Sequence, residues 1–340
     1  MSLLRAIKSL SEGHSLGVDE TALAFREIMQ GSASPVQIAA LLALLKLKGE
    51  TVDEMVGAVS TLREFALPIE IDLSHAIDTC GTGGDGLNLF NVSTAVAFVA
   101  ACAGASVAKH GNRSVSSSTG SADVLEAAGV RIDLKPAAIE RCIAELNIGF
   151  AFAPAHHSAT RFAAPVRREL GFRTLFNLIG PLSNPARVQR QVMGVFERRW
   201  LRPVAETLHR LGSLHVLVVH AHDGLDEISI AAPTDVVELH QGEITEWTLD
   251  PRDFGVPFQP LDSLKVSDAA GSLRMIEQAL CSDRGPAHQL IALNAGAAIY
   301  AAGLVADLAT GVDKARAILA SGAALERLRA LAKLTQAQTE

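Results

Sequence analysis

Asp78-Thr79-Cys80-Gly81-Thr82-Gly83-Gly84-Asp85-Gly86 is the stretch on which the fold turns. The residues leading into it, Ala76-Ile77-Asp78, read as a short strand. Asn91-Val92-Ser93-Thr94 beyond it reads as the capped start of an apolar helix over residues 95–103. Four glycines within positions 81–86 let the backbone turn sharply and approach a ligand closely. Their N–H groups can line an anion nest, to which the following helix adds its positive end. The loop lacks the lysine of a P-loop and the spacing of a dinucleotide fingerprint. A plain strand-to-helix turn would explain the glycines. It does not explain Asn91, Ser93 and Thr94 together, since one N-cap side chain is enough to start a helix.

Working outward toward the C-terminus, residues 105–108 read as a second strand running into Lys109-His110-Gly111-Asn112-Arg113. The loop continues through Ser116, Ser117 and Gly120 to Ser121, which is expected to cap a helix ending before Gly129. A lysine, an arginine, several hydroxyls and two glycines straight off an apolar strand form a phosphate-binding composition. Residues 148–153 and 215–220 read as further buried strands. Strand, loop and helix in alternation predict a parallel sheet covered by helices. After the last of these strands comes Asp223-Gly224-Leu225-Asp226-Glu227. Taken alone it is a surface turn; beside two phosphate-type loops its carboxylates suit Mg²⁺, which takes one or two carboxylates plus substrate phosphates. Arg167, in Pro165-Val166-Arg167-Arg168-Glu169, can clamp a carboxylate or pair with Glu169 at the surface, and the sequence leaves both open. His156 and His157 are a weaker cue.

Toward the N-terminus the first 70 residues read as helical. Residues 1–10 form an amphipathic helix broken by Arg5 and Lys8, unlike a signal peptide. Ser34-Pro35-Val36-Gln37 and Thr51-Val52-Asp53-Glu54 are capping boxes. The short Gly49-Glu50 link predicts that the two helices they start pack as antiparallel neighbours. Residues 173–185, with two prolines, read as an ordered connector returning to this helical part. The Ala-rich C-terminal third reads as helix over residues 287–300 and 312–332. The chain has 340 residues, about two domains at roughly 150 residues each. A net charge of −7 and only 4% aromatic residues argue against a nucleic-acid binder. Residues 94–108 are too short to span a bilayer. Four scattered cysteines, without zinc or C-x-x-C spacing, predict a reducing, cytoplasmic setting.

The motifs Gly81-Thr82-Gly83-Gly84-Asp85, Asn91-Val92-Ser93-Thr94, Lys109-His110-Gly111-Asn112-Arg113, Gly120-Ser121-Ala122-Asp123, the run Arg173-Thr174-Leu175-Phe176-Asn177-Leu178-Ile179-Gly180-Pro181-Leu182-Ser183-Asn184-Pro185, and Asp223-Gly224-Leu225-Asp226-Glu227 resemble, in order, those of the anthranilate phosphoribosyltransferases. The resemblance runs from about residue 34 to residue 239. It implies an α/β fold with a small all-α N-terminal domain and a large α/β domain around a mostly parallel sheet, like the nucleoside phosphorylases. The implied division is residues 1–70 plus an inserted segment near 161–184 for the helical domain, and 71–160 with 185–340 for the α/β domain. It also implies transfer of the phosphoribosyl group of phosphoribosyl pyrophosphate (PRPP) to anthranilate in tryptophan biosynthesis, a homodimer through the helical domain, and neither nucleic acid nor membrane as partner.

Carried over residue by residue, Gly81, Thr82, Gly83, Gly84, Asp85, Asn91, Val92, Ser93 and Thr94 line the PRPP site. Lys109, His110, Gly111, Asn112, Arg113, Ser116, Ser117 and Ser121 continue it. Two Mg²⁺ are implied, one held by Ser93 and Glu227 and one by Asp226 and Glu227. Gly81, Asn112 and Arg167 face anthranilate, and Lys109, Asn112 and Arg167 are the expected catalytic residues. Two departures stand out. Leu89 replaces a family Ser or Thr, removing a hydroxyl contact to phosphate, and His157-Ser158-Ala159-Thr160 replaces His-Pro-Ala-Met on the acceptor side. A nucleoside phosphorylase, which needs no Asp-Glu metal pair, and a non-catalytic binding module are the alternative readings.

Overall fold

The computed structural model describes residues 2–114, 118–281 and 284–337. Its centre is a seven-stranded sheet: β1 (Ala76–Gly81), β2 (Ser106–Gly111), β3 (Ile148–Phe152), β4 (Arg190–Gly194), β5 (His215–Ala221), β6 (Thr234–His240) and β7 (Glu243–Leu249). The spatial order is β3-β2-β1-β4-β5-β6-β7. The first five strands are mutually parallel, and β6 and β7 are added antiparallel. The chain builds outward from β1 through β2 to β3, then returns to β1's other side for β4. The order therefore reverses between β1 and β4, the point at which open α/β sheets bind ligands beyond their strand ends. The glycine loop leaves β1 at that point.

Strands β4, β6 and β7 carry weaker local signals. β4 is five residues beginning Arg190-Gln191, and only its neighbours β1 and β5 make it a strand. β6 and β7 form a hairpin whose turn, Gln241-Gly242, has both φ values positive (52° and 86°), the left-handed pair that tight hairpins use. Glutamine in place of asparagine hides that signal.

Four helices open the chain: α1 (Ser2–Ser11), α2 (Val18–Met29), α3 (Pro35–Lys48) and α4 (Val52–Phe65). Both capping boxes form. Ser34 Oγ accepts from Gln37 N at 3.3 Å while Gln37 Oε1 accepts from Ser34 N at 2.8 Å, and Thr51 and Glu54 do the same. The expected antiparallel pairing of α3 with α4 is not the main contact. α4 packs on α2, and α3 on α1. Gly57 explains this, because a Cβ there would meet Thr21 Cβ at 2.8 Å, so α4 settles against α2 as only a glycine permits.

Two apolar cores lie on opposite faces of the sheet. One is built around α5 (Val92–Cys102), covered by the helices Pro286–Ala301 and Ala323–Gln336. The other joins α1–α4 to Ala163, Val166, Leu175, Phe176, Leu178, Ile179 and Leu182, then to the helix Leu201–Arg210 and the sheet residues Val216 and Val218. Phe25 meets Phe176 at 5.6 Å between ring centroids. The connector at 173–185 holds a short helix, Leu175–Ile179, and a 3-10 turn, Pro181–Ser183. Three local expectations need correction. Gly120, not Ser121, is the N-cap of the helix Ser121–Ala127. Asn91 precedes α5 without a side-chain cap bond. The expected helix over 312–332 is two, Leu308–Ser321 and Ala323–Gln336, broken at left-handed Gly322.

Candidate active site

A cleft of about 380 Å³ opens where the glycine loop meets the returning connector. Its wall includes Gly81, Thr82, Gly83, Gly84, Asp85, Asn91, Val92, Ser93, Lys109, His110, Gly111, Asn112, Arg113, Ser121, Arg167, Asp226 and Glu227. Residues separated by more than 140 positions thus share one cavity. Thr94 is the described residue of the expected set that stays behind the wall: it is buried, and its Oγ1 has no hydrogen-bond partner. Ser116 and Ser117 lie outside the described residues.

The glycine loop owes its shape to left-handed backbone at Gly83, Gly84 and Gly86, which other residues adopt at a cost. Asp226 is held against it. Its Oδ2 accepts Gly83 N–H at 2.8 Å. A Cβ on Gly81 would meet that oxygen at 2.7 Å, and a Cβ on Gly194 would collide with the Asp226 carbonyl. Two glycines, at the ends of β1 and β4, therefore make room for one residue, Gly81 for the Asp226 carboxylate and Gly194 for its backbone. Thr82 is turned inward, its Oγ1 accepting Phe196 N–H at 3.0 Å. Arg173 donates to the Gly84 carbonyl and lies 4.3 Å over the Phe196 ring.

Asp223 closes the carboxylate turn upon itself, accepting from Leu225 N at 3.2 Å and Ser229 Oγ at 2.6 Å. That leaves Asp226 and Glu227 for the cleft. Burial and the nearby Asp85 push Asp226 up to about 7. Burial and Asp226 push Glu227 well above the carboxylate range. A donor set so short of positive charge fits a divalent cation. The carboxylates do not close into a cage, which suits Mg²⁺, an ion that keeps waters and shares substrate phosphates. Among the described residues the one tight trio of ligating side chains is His215, Glu238 and His240, at the end of the strands where β5 begins and β6 finishes. It is closed to an ion. Glu238 accepts from His215, Tyr300 and Trp247 at 2.8–2.9 Å, and the two imidazoles stack at 4.1 Å and 12°, so their lone pairs do not converge.

Lys109 is 3% exposed. Its Nζ donates to the Thr79 carbonyl at 2.5 Å and to Ser93 Oγ at 3.3 Å, and burial lowers its pKa against the pull of Asp78, Cys80 and Glu227. Beside it, His110 and His157 face each other at 5.2 Å. Burial holds His110 well below the usual imidazole range and His157 at about 4, so both are neutral. His110 Nε2 and both ring nitrogens of His157 are buried without hydrogen-bond partners. Arg113 turns away, pairing with Asp123 at 3.2 Å and with Glu126. Asp123 also accepts from Gly120 N and Ser114 N, which ties down the root of the loop.

The far wall comes from the connector. Arg167, on the helix Ala164–Leu170, lies over the Phe176 ring at 5.0 Å. It forms no ion pair among the described residues, so the surface pairing with Glu169 is not seen, and burial lowers its pKa. His157, Thr160, Phe176 and Pro181 line this wall too. Phe176 and Pro181 carried no chemical signal in the sequence beyond family resemblance. They are apolar residues that become wall because the chain crosses back here.

Two family models match the chain, "Glycosyl transferase family, helical bundle domain" at residues 4–66 and "Glycosyl transferase family, a/b domain" at 73–325. The anthranilate phosphoribosyltransferase of Cellvibrio japonicus is 53% identical over 99% of both chains. The chain belongs to the anthranilate phosphoribosyltransferase family. The family's enzyme from Stutzerimonas stutzeri is 52% identical, over 98% of this chain and 97% of its own. The crystal structure of the Thermus thermophilus anthranilate phosphoribosyltransferase superposes with a TM-score of 0.93 at 42% identity, covering 98% of this chain and 99% of that one. The Saccharomyces cerevisiae enzyme, solved with PRPP and Mg, shares the fold at 23% identity and a TM-score of 0.89, over 99% of this chain and 98% of that one.

Proposed function

We propose that this protein transfers the phosphoribosyl group of PRPP to the amine of anthranilate, giving N-(5-phosphoribosyl)anthranilate and pyrophosphate, in tryptophan biosynthesis. The carrying observation is the asymmetry of the cleft. One wall has the glycine loop, Lys109 and the Asp226–Glu227 pair, suited to a phosphorylated donor. The other has a guanidinium, Arg167, that forms no ion pair with a carboxylate among the described residues, suited to an aromatic acid.

The donor site is assigned to Gly81 through Asp85, Asn91 through Thr94, Lys109 through Arg113, and Ser121, with Ser116 and Ser117 included by family resemblance. Asp226, Glu227 and Ser93 would hold two Mg²⁺, which supply positive charge to the leaving pyrophosphate. Lys109 adds its charge on the same side, where the oxocarbenium-like transition state sheds its electrons. The acceptor amine is neutral near pH 7 and needs orientation more than deprotonation. Arg167 grips the carboxylate and Asn112 the amine side, bringing nitrogen toward ribose C1. The proton lost after attack belongs to an acidic anilinium centre, so neutral His110 or water is base enough.

The helical unit is residues 1–70 with the returning segment 161–184, whose apolar residues enter its core. A homodimer through this unit is supported by Val36 (78% exposed) and Leu47 (85%) on α3. A cytoplasmic setting is supported by four unpaired cysteines.

The test mixes purified protein with PRPP, Mg²⁺ and anthranilate and follows pyrophosphate release beside anthranilate loss. Stoichiometric, Mg²⁺-dependent consumption is expected. Arg167→Gln should raise the anthranilate KM by about 10–100-fold, as loss of a charge-assisted pair implies, and leave PRPP affinity unchanged. Equal losses for both substrates would remove Arg167 from the acceptor site, and no anthranilate loss from wild type would sink the function.

A further inference from the structure

We propose that Asp78 and Asn184 are positioning residues for phosphoribosyl transfer, a buried pair that fixes the acceptor wall of the cleft against the donor wall. The inference rests on the transfer reading above. Neither residue is on the cleft surface, so neither can touch a substrate. Asp78 is fully buried on β1, and Asn184 is 2% exposed at the point where the connector returns to the sheet.

Their hydrogen bonds join the two walls. Asp78 Oδ1 accepts the backbone N–H of His110 at 3.2 Å, at the root of the Lys109–Arg113 loop. Asp78 Oδ2 accepts Asn184 Nδ2 at 2.8 Å. The same amide nitrogen donates to the Ala108 carbonyl at 2.8 Å, and Asn184 Oδ1 accepts Ala186 N–H at 2.9 Å. Each polar atom of the Asn184 side chain is therefore used, and the chain direction at 184 is set from β1 and β2. Immediately upstream, Gly180, Pro181 and Ser183 face the cleft. A second tie from the sheet reaches the same turn: Gln191 Nε2 on β4 donates to the Pro181 carbonyl at 2.9 Å.

A fully buried carboxylate is expensive unless paired, and a core held by packing alone would not need one here. What this carboxylate adds is direction. It aims one oxygen at the donor loop and the other at the chain that carries the acceptor wall. Bringing two substrates into reacting register is worth orders of magnitude, and a misplacement of about 1 Å is enough to cost about a hundredfold. The pair therefore acts on turnover and leaves donor binding, which the glycine loop and carboxylates provide, in place.

The experiment compares wild type, Asp78→Asn, Asn184→Ala and the double variant in four readouts: kcat, KM for each substrate, PRPP·Mg²⁺ affinity by calorimetry, and melting temperature. Each single variant is expected to lose about 10–100-fold in kcat with PRPP affinity within about threefold of wild type. The double variant should be no worse than the poorer single, since the two act as one unit. Folded variants with kcat within about threefold of wild type, PRPP affinity falling in parallel with kcat, or single losses that multiply would each overturn the pairing. If Asn184→Ala does not fold at assay temperature, Asn184→Ser keeps a short donor and should lie below wild type in kcat; equality with wild type overturns the proposal. Wild type that fails to consume anthranilate would defeat the transfer reading itself, and is distinguished from these outcomes by the wild-type reaction alone.

Discussion

His157 shows how much one side chain reveals about the cleft. Burial beside His156 holds it at about 4, against an ordinary imidazole value of 6.5. The unfolded chain therefore takes up a proton near pH 6.5 that the folded chain refuses until about pH 4. Stability is fully present above pH 6.5, falls through that window and levels off below it, by on the order of 3 kcal/mol for this group alone. Thermal melts between pH 7 and 4.5 should decline steeply for wild type and less so for His157→Gln; an equally steep decline would mean the imidazole is charged in the fold. Leu89 makes the opposite point. It lines the cleft where a family hydroxyl is expected, and its backbone is pinned in a bridge to Lys265. Leu89→Ser should lower the PRPP KM about fivefold, one hydrogen bond's worth; an unchanged KM would show that the phosphate does not reach this position.

At the scale of elements, the most extensive helix–helix contact among the described residues is that of Pro286–Ala301 with Leu308–Ser321. Gly296 faces Val312, and a Cβ there would lie 2.6 Å from the Val312 nitrogen. Gly311 in turn faces the Gly296 carbonyl. Gly296→Ala should cost about 2 kcal/mol through overpacking, read from urea unfolding, while kcat at low temperature stays at the wild-type value. A variant as stable as wild type would show that the helices can part freely.

These elements also mark where sequence reading works. β1, its glycine loop and α5 announce themselves because a strand, a glycine turn and an apolar helical run are contiguous there. The capping boxes of α3 and α4 are equally local, but which helices pack together is not, and Gly57 decides it through space. β4 and the β6–β7 hairpin are strands by virtue of their neighbours, with a Gln-Gly turn in place of a familiar one. That the glycine loop, Lys109 and Asp226–Glu227 share one cleft was legible because they lie in short motifs. The opposite wall was legible through family resemblance and one arginine. Phe176 and Pro181 look like core residues until the chain's return turns them into wall, and the Asp78–Asn184 pair spans 106 positions.

For the whole molecule, the cleft predicts coupled binding. If Asp226 and Glu227 hold Mg²⁺ as proposed, the ion alone would be weakly held, because PRPP would bring the phosphates that complete its shell. Melting temperature should therefore rise more with PRPP and Mg²⁺ together than with the sum of each alone, as linkage requires; additive shifts would place the ion elsewhere. If α3 forms a homodimer face, light scattering should return twice the 35.8 kDa chain mass, and Leu47→Glu should halve it; a wild-type mass of one chain would end that reading.

The helical core draws on Leu3 through Leu62 and then on residues from Ala159 to Leu208. Synthesis runs from one end, so α1–α4 leave the ribosome long before the residues that cover them exist. At about 5–20 residues per second, the gap is on the order of ten seconds. During that time Phe25 awaits Phe176, with its apolar face open to whatever is near. Until that segment emerges, the apolar faces of α1–α4 that it covers in the finished core have no partner from their own chain.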